Sequence, residues 1–145
     1  DLYTGPGTTS LAASDIITSF FLPHPAPGFG SGHVKLGKRG SGTDIALAGV
    51  SASIVVGDDG TVADCKIALA SLGPIPMRAR GAEAVLVGKP PVEAALAEAA
   101  QAASEDAQPI GDMRASAEYR KTLARVLTLR ALRQAVQSVD GKVAV

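Results

Sequence analysis

Gly32 to Ala46 reads GHVKLGKRGSGTDIA, and G-HVKL-G-K-R matches the start of G-x-x-x-x-G-K-[ST], the loop that cradles phosphate with backbone amides and a lysine. Phosphate chemistry there needs a strand before the loop and a helix after it whose N-terminal amides face the anion. It also needs a Ser or Thr hydroxyl for magnesium. Arg39 takes the hydroxyl position, and the following SGTDIALAGVSASIVV has the make-up of a strand. The stretch therefore reads as a glycine-rich turn carrying cations, without the helix that a nucleoside triphosphate requires. Just upstream, GFGSGH fails as a dinucleotide fingerprint because His33 stands at its final glycine position.

The other reactive side chains assemble no site. His24 lies between prolines and His33 opens a strand, with no acidic residue at helical metal-ligand spacing from either. Both read as solvent-facing or locally bonded imidazoles. Ser10 and Ser41 lack the glycine elbow that exposes a nucleophile, and Cys65 falls on the apolar face of its strand, where a neutral thiol is inert. No residue reads as catalytic or as a metal ligand. Arg114, Arg120, Lys121, Arg125, Arg130 and Arg133 cluster near the C-terminus; they read as the solvated face of a helix, with contact to an acidic partner as the alternative.

The elements that would carry these residues follow from pattern. Ile16 to Leu22 (IITSFFL), closed by Pro23, suits a strand, and HPAPGFGSG reads as a linker. Three β-rich segments come next, at about His33–Lys38, Asp44–Val56 and Thr61–Ala70, with GDDG between the last two as a hairpin signal. In the third, Ala63, Cys65, Ile67 and Leu69 share one face and Asp64 and Lys66 the other, as in a half-buried antiparallel strand. RARGAEAVLVG then suits a short helix, and Pro90-Pro91 opens a helix over VEAALAEAAQAASED. The longest helix spans about Ala115 to Val139, its apolar stripe formed by Tyr119, Leu123, Val126, Leu127, Leu132 and Val136. Strands first and helices after imply an α+β domain: a small antiparallel three-stranded sheet with about three helices on one face.

Composition sets the outer limits. A chain of 145 residues is one domain's worth and needs no disulfide or metal staple. Fourteen basic and fourteen acidic side chains cancel, so no global field draws nucleic acid, and scarce aromatics leave few platforms for bases. One cysteine holds neither a disulfide framework nor an iron-sulfur cluster, which suits a cytoplasmic chain. The uncharged run ALAGVSASIVVG is too short and too rich in Gly and Ser to span a bilayer, so no membrane association is expected. The opening DLYTGPGTTSLAASDIITSFFLP, without Met, reads as the middle of a longer protein.

Four segments taken in order, YTGPGTTSLAASDIITSFFLP, GHVKLGKRGSGTDIALAGVSASI, DCKIALASLGPIPMRARGAEAVLVGKP and DMRASAEYRKTLARVLTLRAL, together resemble the end of a known subunit. It is the FAD-binding (medium) subunit of the molybdenum hydroxylases, the xanthine dehydrogenase and carbon monoxide dehydrogenase family. RASAEYR and GPIPMRA are the most specific stretches. The resemblance implies that residues 1–24 are the tail of an upstream FAD-binding domain and residues 25–145 a C-terminal α+β domain. It implies FAD gripped mainly upstream, with the molybdenum cofactor and 2Fe-2S clusters on partner subunits, the large and the small one. It also implies that Ile17 and Lys35 touch the flavin, and that the loop Lys38 to Asp44 borders it, although GSGT makes a longer spacer than the family's usual pattern. The isolated segment is then expected to be inactive alone. The alternative from a different class is a stand-alone interaction or ligand-binding module that meets an acidic partner through its basic helix or glycine-rich loop.

Overall fold

The computed structural model describes residues 2–38 and 44–139. A small hairpin of β1 (Tyr3–Gly5) and β2 (Thr8–Thr9) comes first, turning at Gly7 with φ +69°. The main sheet is an antiparallel meander in the order β3 (Phe29–Gly37), β4 (Ala46–Val56), β5 (Val62–Ala70) and β6 (Met77–Arg78). Three helices complete the chain: α1 (Arg80–Leu86), α2 (Glu93–Asp106) and α3 (Ala117–Gln137). The α3 helix lies on β3 and β4, α1 meets β5, and α2 packs against both helices. This is the expected α+β layer, with a short fourth strand added to the expected three.

Alternation decides which side each strand residue takes. Val34, Val50 and Leu69 share one inward row, and Gly32, Ala52 and Ile67 the next. His33, Ser51 and Ala68 form the corresponding outward row, as do Lys35, Gly49 and Ala70. Between β4 and β5 the GDDG turn forms as its composition requires: Gly60 sits at φ +76°, and Asp59 accepts from the amide and hydroxyl of Thr61. A bulge beyond Asp64 pairs Val56 with Val62 and leaves Ala63 exposed. Ala63 was expected inside; the extra residue re-phases the strand so that Val62 is buried instead.

The segment from Ile16 to Leu22 is not a strand. An isolated extended run has no ladder partner to satisfy its amides, and here the side chains also stand in solvent, with Ile16 84% and Phe21 90% exposed. The stretch GFGSG, expected as linker, supplies the first half of β3. Its glycines answer to packing: a Cβ at Gly30 would lie 2.0 Å from the Ala135 carbonyl oxygen, and one at Gly32 2.3 Å from that of Ala131. Bare backbone at both positions lets α3 settle directly on the sheet. The core is correspondingly alanine-rich, with Ala52, Ala124, Ala131 and Ala135 beside Ile54, Ile67, Leu127 and Leu132. No helix among the described residues is long and apolar enough to cross a membrane.

Candidate functional site

Lys35 stands on β3 with its side chain on the exposed face of the sheet, opposite Gly49 and, one strand further, Ala70. Both neighbours are small, so the lysine borders a low shelf. Two residues back, His33 Nδ1 lies 2.8 Å from Ser51 Oγ. Beyond it opens a shallow cavity of about 730 Å³, lined among others by Ser31, His33, Ser53, Lys66 and Gln134. Hydroxyls, amides and two basic side chains share its walls with Gly32, Ala52 and Ala68, and Lys66 is paired to Asp64 at 2.8 Å.

The position of β3 is set from α3. The edge amide of Ser31 donates to Ser138 Oγ at 2.7 Å, the Ser138 hydroxyl donates to the Ser31 carbonyl at 2.9 Å, and the amide of His33 donates to Gln134 Oε1 at 3.1 Å. Side chains thus occupy an edge that would otherwise offer itself for pairing. Gln134 and Ser138 belong to no apolar stripe, and their role was not legible until α3 lay along β3.

Ile17, the other expected flavin contact, lies in the irregular segment between β2 and β3 and is 45% exposed. Among the described residues no hydrogen bond ties it to the sheet, so the structure leaves Ile17 and Lys35 on separate elements. Arg39 and Ser41, with most of the loop from Lys38 to Asp44, fall outside the described residues. After that loop the chain enters β4, not a helix, which removes the triphosphate-loop reading on structural grounds. Cys65 is buried, and burial first, then the negative charges of Glu83 and Asp64, push its thiol up to about 12. A thiol held protonated is no nucleophile. His24 is exposed, and His33 sits in mid-strand rather than at a strand start.

The basic helix needs a correction. Arg120 does not join a solvated face: it is 5% exposed and donates through Nη1 to the carbonyls of Leu47 and Ser71, at 2.5 and 3.1 Å. Its Nη2 lies 3.1 Å from Asp112, whose carboxylate also accepts from the amides of Arg114 and Ala115. Ser71 carries a φ of +60°, so the guanidinium clamps a turn in a conformation that a side chain disfavours. Tyr119, assigned to the apolar stripe, is 48% exposed instead, because it follows the Ser116 cap on the outer side of the first turn. RASAEYR is therefore a joint: Ser116 caps α3 and Arg120 fastens it to the ends of β4 and β5. GPIPMRA plays a similar part, since Arg78 forks onto the buried Glu83, and Glu83 Oε1 also accepts from the amide of Ile67 at 2.9 Å.

A four-stranded meander covered on one face by three helices, with a lysine-bearing outer face, defines a small α+β domain whose signature arginines are architectural. Residues 33–135 match the family described as the CO dehydrogenase flavoprotein C-terminal domain, and the chain belongs to that family. Over 141 residues it is 30% identical to the xanthine dehydrogenase FAD-binding subunit of Escherichia coli O157:H7, covering 97% of this chain and 48% of that protein. It is 35% identical over 136 residues to the nicotine 6-hydroxylase medium subunit of Paenarthrobacter nicotinovorans, covering 93% of this chain and 46% of the relative. Among solved structures, carbon monoxide dehydrogenase from Hydrogenophaga pseudoflava superposes with a TM-score of 0.83 at 32% identity, over 92% of this chain and 46% of the other. Quinoline 2-oxidoreductase from Pseudomonas putida 86 superposes with a TM-score of 0.80 at 26% identity, over 96% and 47%. The chain thus spans about half the length of the proteins it matches.

Proposed function

We propose that this chain acts as the C-terminal part of the FAD-binding subunit of a molybdenum-dependent hydroxylase or dehydrogenase, covering one edge of the flavin and docking partner subunits. The observation that carries the reading is the family match over residues 33–135. In the proposed division, residues 1–24 close an upstream FAD-binding domain and residues 25–145 form the accessory domain. The molybdenum cofactor and 2Fe-2S clusters sit on a large and a small partner subunit, because a single cysteine cannot hold a cluster. The assembly works in the cytoplasm, and the chain has no activity by itself.

The residues present fit a flavin edge better than a dinucleotide grip. Lys35 beside Gly49 and Ala70 offers a cation over a low surface, which suits the edge of a planar ring. No described helix follows a glycine loop in the way that a pyrophosphate needs. FAD, when bound, supplies the electron chemistry, and this chain's part is electrostatic: Lys35 stabilises negative charge that builds on the ring as it is reduced. Ile17 contributes an apolar contact, and the loop from Lys38 to Asp44 screens the approach of an electron acceptor.

The test combines this chain with an FAD-binding upstream half and follows flavin retention through gel filtration. Retention should rise when the chain is present, and Lys35→Met should lower the two-electron potential of the bound flavin by about 30 mV, equivalent to about 1.4 kcal/mol. Equal retention with and without the chain removes the covering role. An unchanged potential removes Lys35 from the flavin.

A further inference from the structure

A second groove, of about 230 Å³, runs between α2 and α3. Ala97 and Ala100 of α2 meet Val126 and Leu129 of α3 there, and Arg125, Arg130 and Arg133 stand around them. At about 100° of rotation per helical residue, Arg125 and Arg130 lie roughly 140° apart on α3, with Leu129, Arg133 and Val126 between them. The two exposed guanidiniums of Arg125 and Arg130 therefore stand on either side of a strip that is apolar apart from Arg133, which Glu93 holds.

The charges around the groove are not balanced within the chain. Arg133 is engaged by Glu93. Arg125 and Arg130 are exposed and meet no carboxylate among the described residues. The whole chain is neutral, so this is a local concentration of positive charge and not a share of general basicity. Guanidinium favours carboxylate partners through its paired donors, and the apolar strip gives little to a small hydrophilic anion.

We propose that the α2–α3 groove docks an acidic, amphipathic segment of a protein partner, with carboxylates received by Arg125 and Arg130 and apolar side chains by Ala97, Val126 and Leu129. The inference rests on the reading that the chain works inside an assembly. It does not depend on where the flavin sits. A groove of this size makes one contact within a larger interface, or a transient contact on its own.

The experiment uses the full chain and fluorescence anisotropy with a labelled helical peptide carrying Glu on one face and Leu on the other. This peptide should bind about tenfold more tightly than its Lys-for-Glu counterpart, and salt should weaken it. Arg125→Glu with Arg130→Glu should remove at least about tenfold of that affinity while circular dichroism stays unchanged. Should the reversed chain fold poorly, Arg125→Gln with Arg130→Gln gives the same comparison with less disturbance. Absence of binding, or binding that ignores both pairs of substitutions, overturns the proposal. It is also overturned if polyglutamate without Leu binds equally well and inorganic pyrophosphate displaces it, because that outcome describes a small-anion site. Flavin retention, measured for the parent chain combined with an FAD-binding upstream half, separates the readings: raised retention without any peptide binding overturns the docking surface alone.

Discussion

At the scale of single residues, Arg120 ties the sheet to the helices. One guanidinium satisfies the carbonyls of Leu47 and Ser71 and meets Asp112. Arg120→Met would keep bulk and orphan both carbonyls, each at about 1–3 kcal/mol, for a total loss of about 2–6 kcal/mol. Thermal melts should then fall by roughly 5–20 °C. An unchanged melt would mean that water replaces the guanidinium without cost. Asp112 gives the same joint a pH signature. The amides of Arg114 and Ala115, and then Arg120, hold its carboxyl down from the ordinary 3.8 to about 2. A folded value below the unfolded one adds stability above pH 4 that is lost as pH falls toward 2. Asp112→Asn should flatten that part of the acid limb, read as melting temperature against pH. A curve parallel to the parent's between pH 4 and 2 would place the acid sensitivity elsewhere.

At the scale of elements, β3 shows most clearly what pattern reading reaches. Its second half was legible because Val34 and Leu36 alternate with His33 and Lys35. Its first half was not, because Gly30 and Gly32 carry no hydrophobic signal and glycine ordinarily marks a loop. Only the helix that lies across them explains the choice, and no local rule contains that information. In contrast, the β4–β5 hairpin and α2 were readable from turn chemistry and from Ala and Glu content alone. Gly32→Ala should therefore destabilise the fold by about 1–3 kcal/mol, since the new methyl meets backbone rather than a movable side chain. Gly49→Ala is the control: its Cβ would find Ala70 at 3.6 Å, an ordinary contact. Denaturant midpoints for the two variants should separate clearly, and similar midpoints would show that α3 shifts freely away from β3.

At the scale of the whole molecule, the family was legible where the site was not. RASAEYR and GPIPMRA carried the resemblance, and both prove to be joints around Arg120 and Glu83, so a signature held by architecture pointed to a relative without pointing to chemistry. The expected flavin contacts, Ile17 and Lys35, look like an ordinary apolar residue and an ordinary strand lysine until a neighbouring surface is considered. The molecule does carry one feature that calls for such a surface. Ile16, Phe20, Phe21 and Leu22 are 78% or more exposed and close in sequence, an apolar patch outside the core cluster. In dilute solution this patch should drive copies of the chain together. Phe20→Asp with Phe21→Asp should remove concentration-dependent sedimentation, and stability read from the thermal melt should stay within about 0.5 kcal/mol of the parent's because both rings stand in solvent. A fall in melting temperature would instead mean that these rings shelter against the domain in solution, and the patch would then be part of the core rather than a surface awaiting a partner.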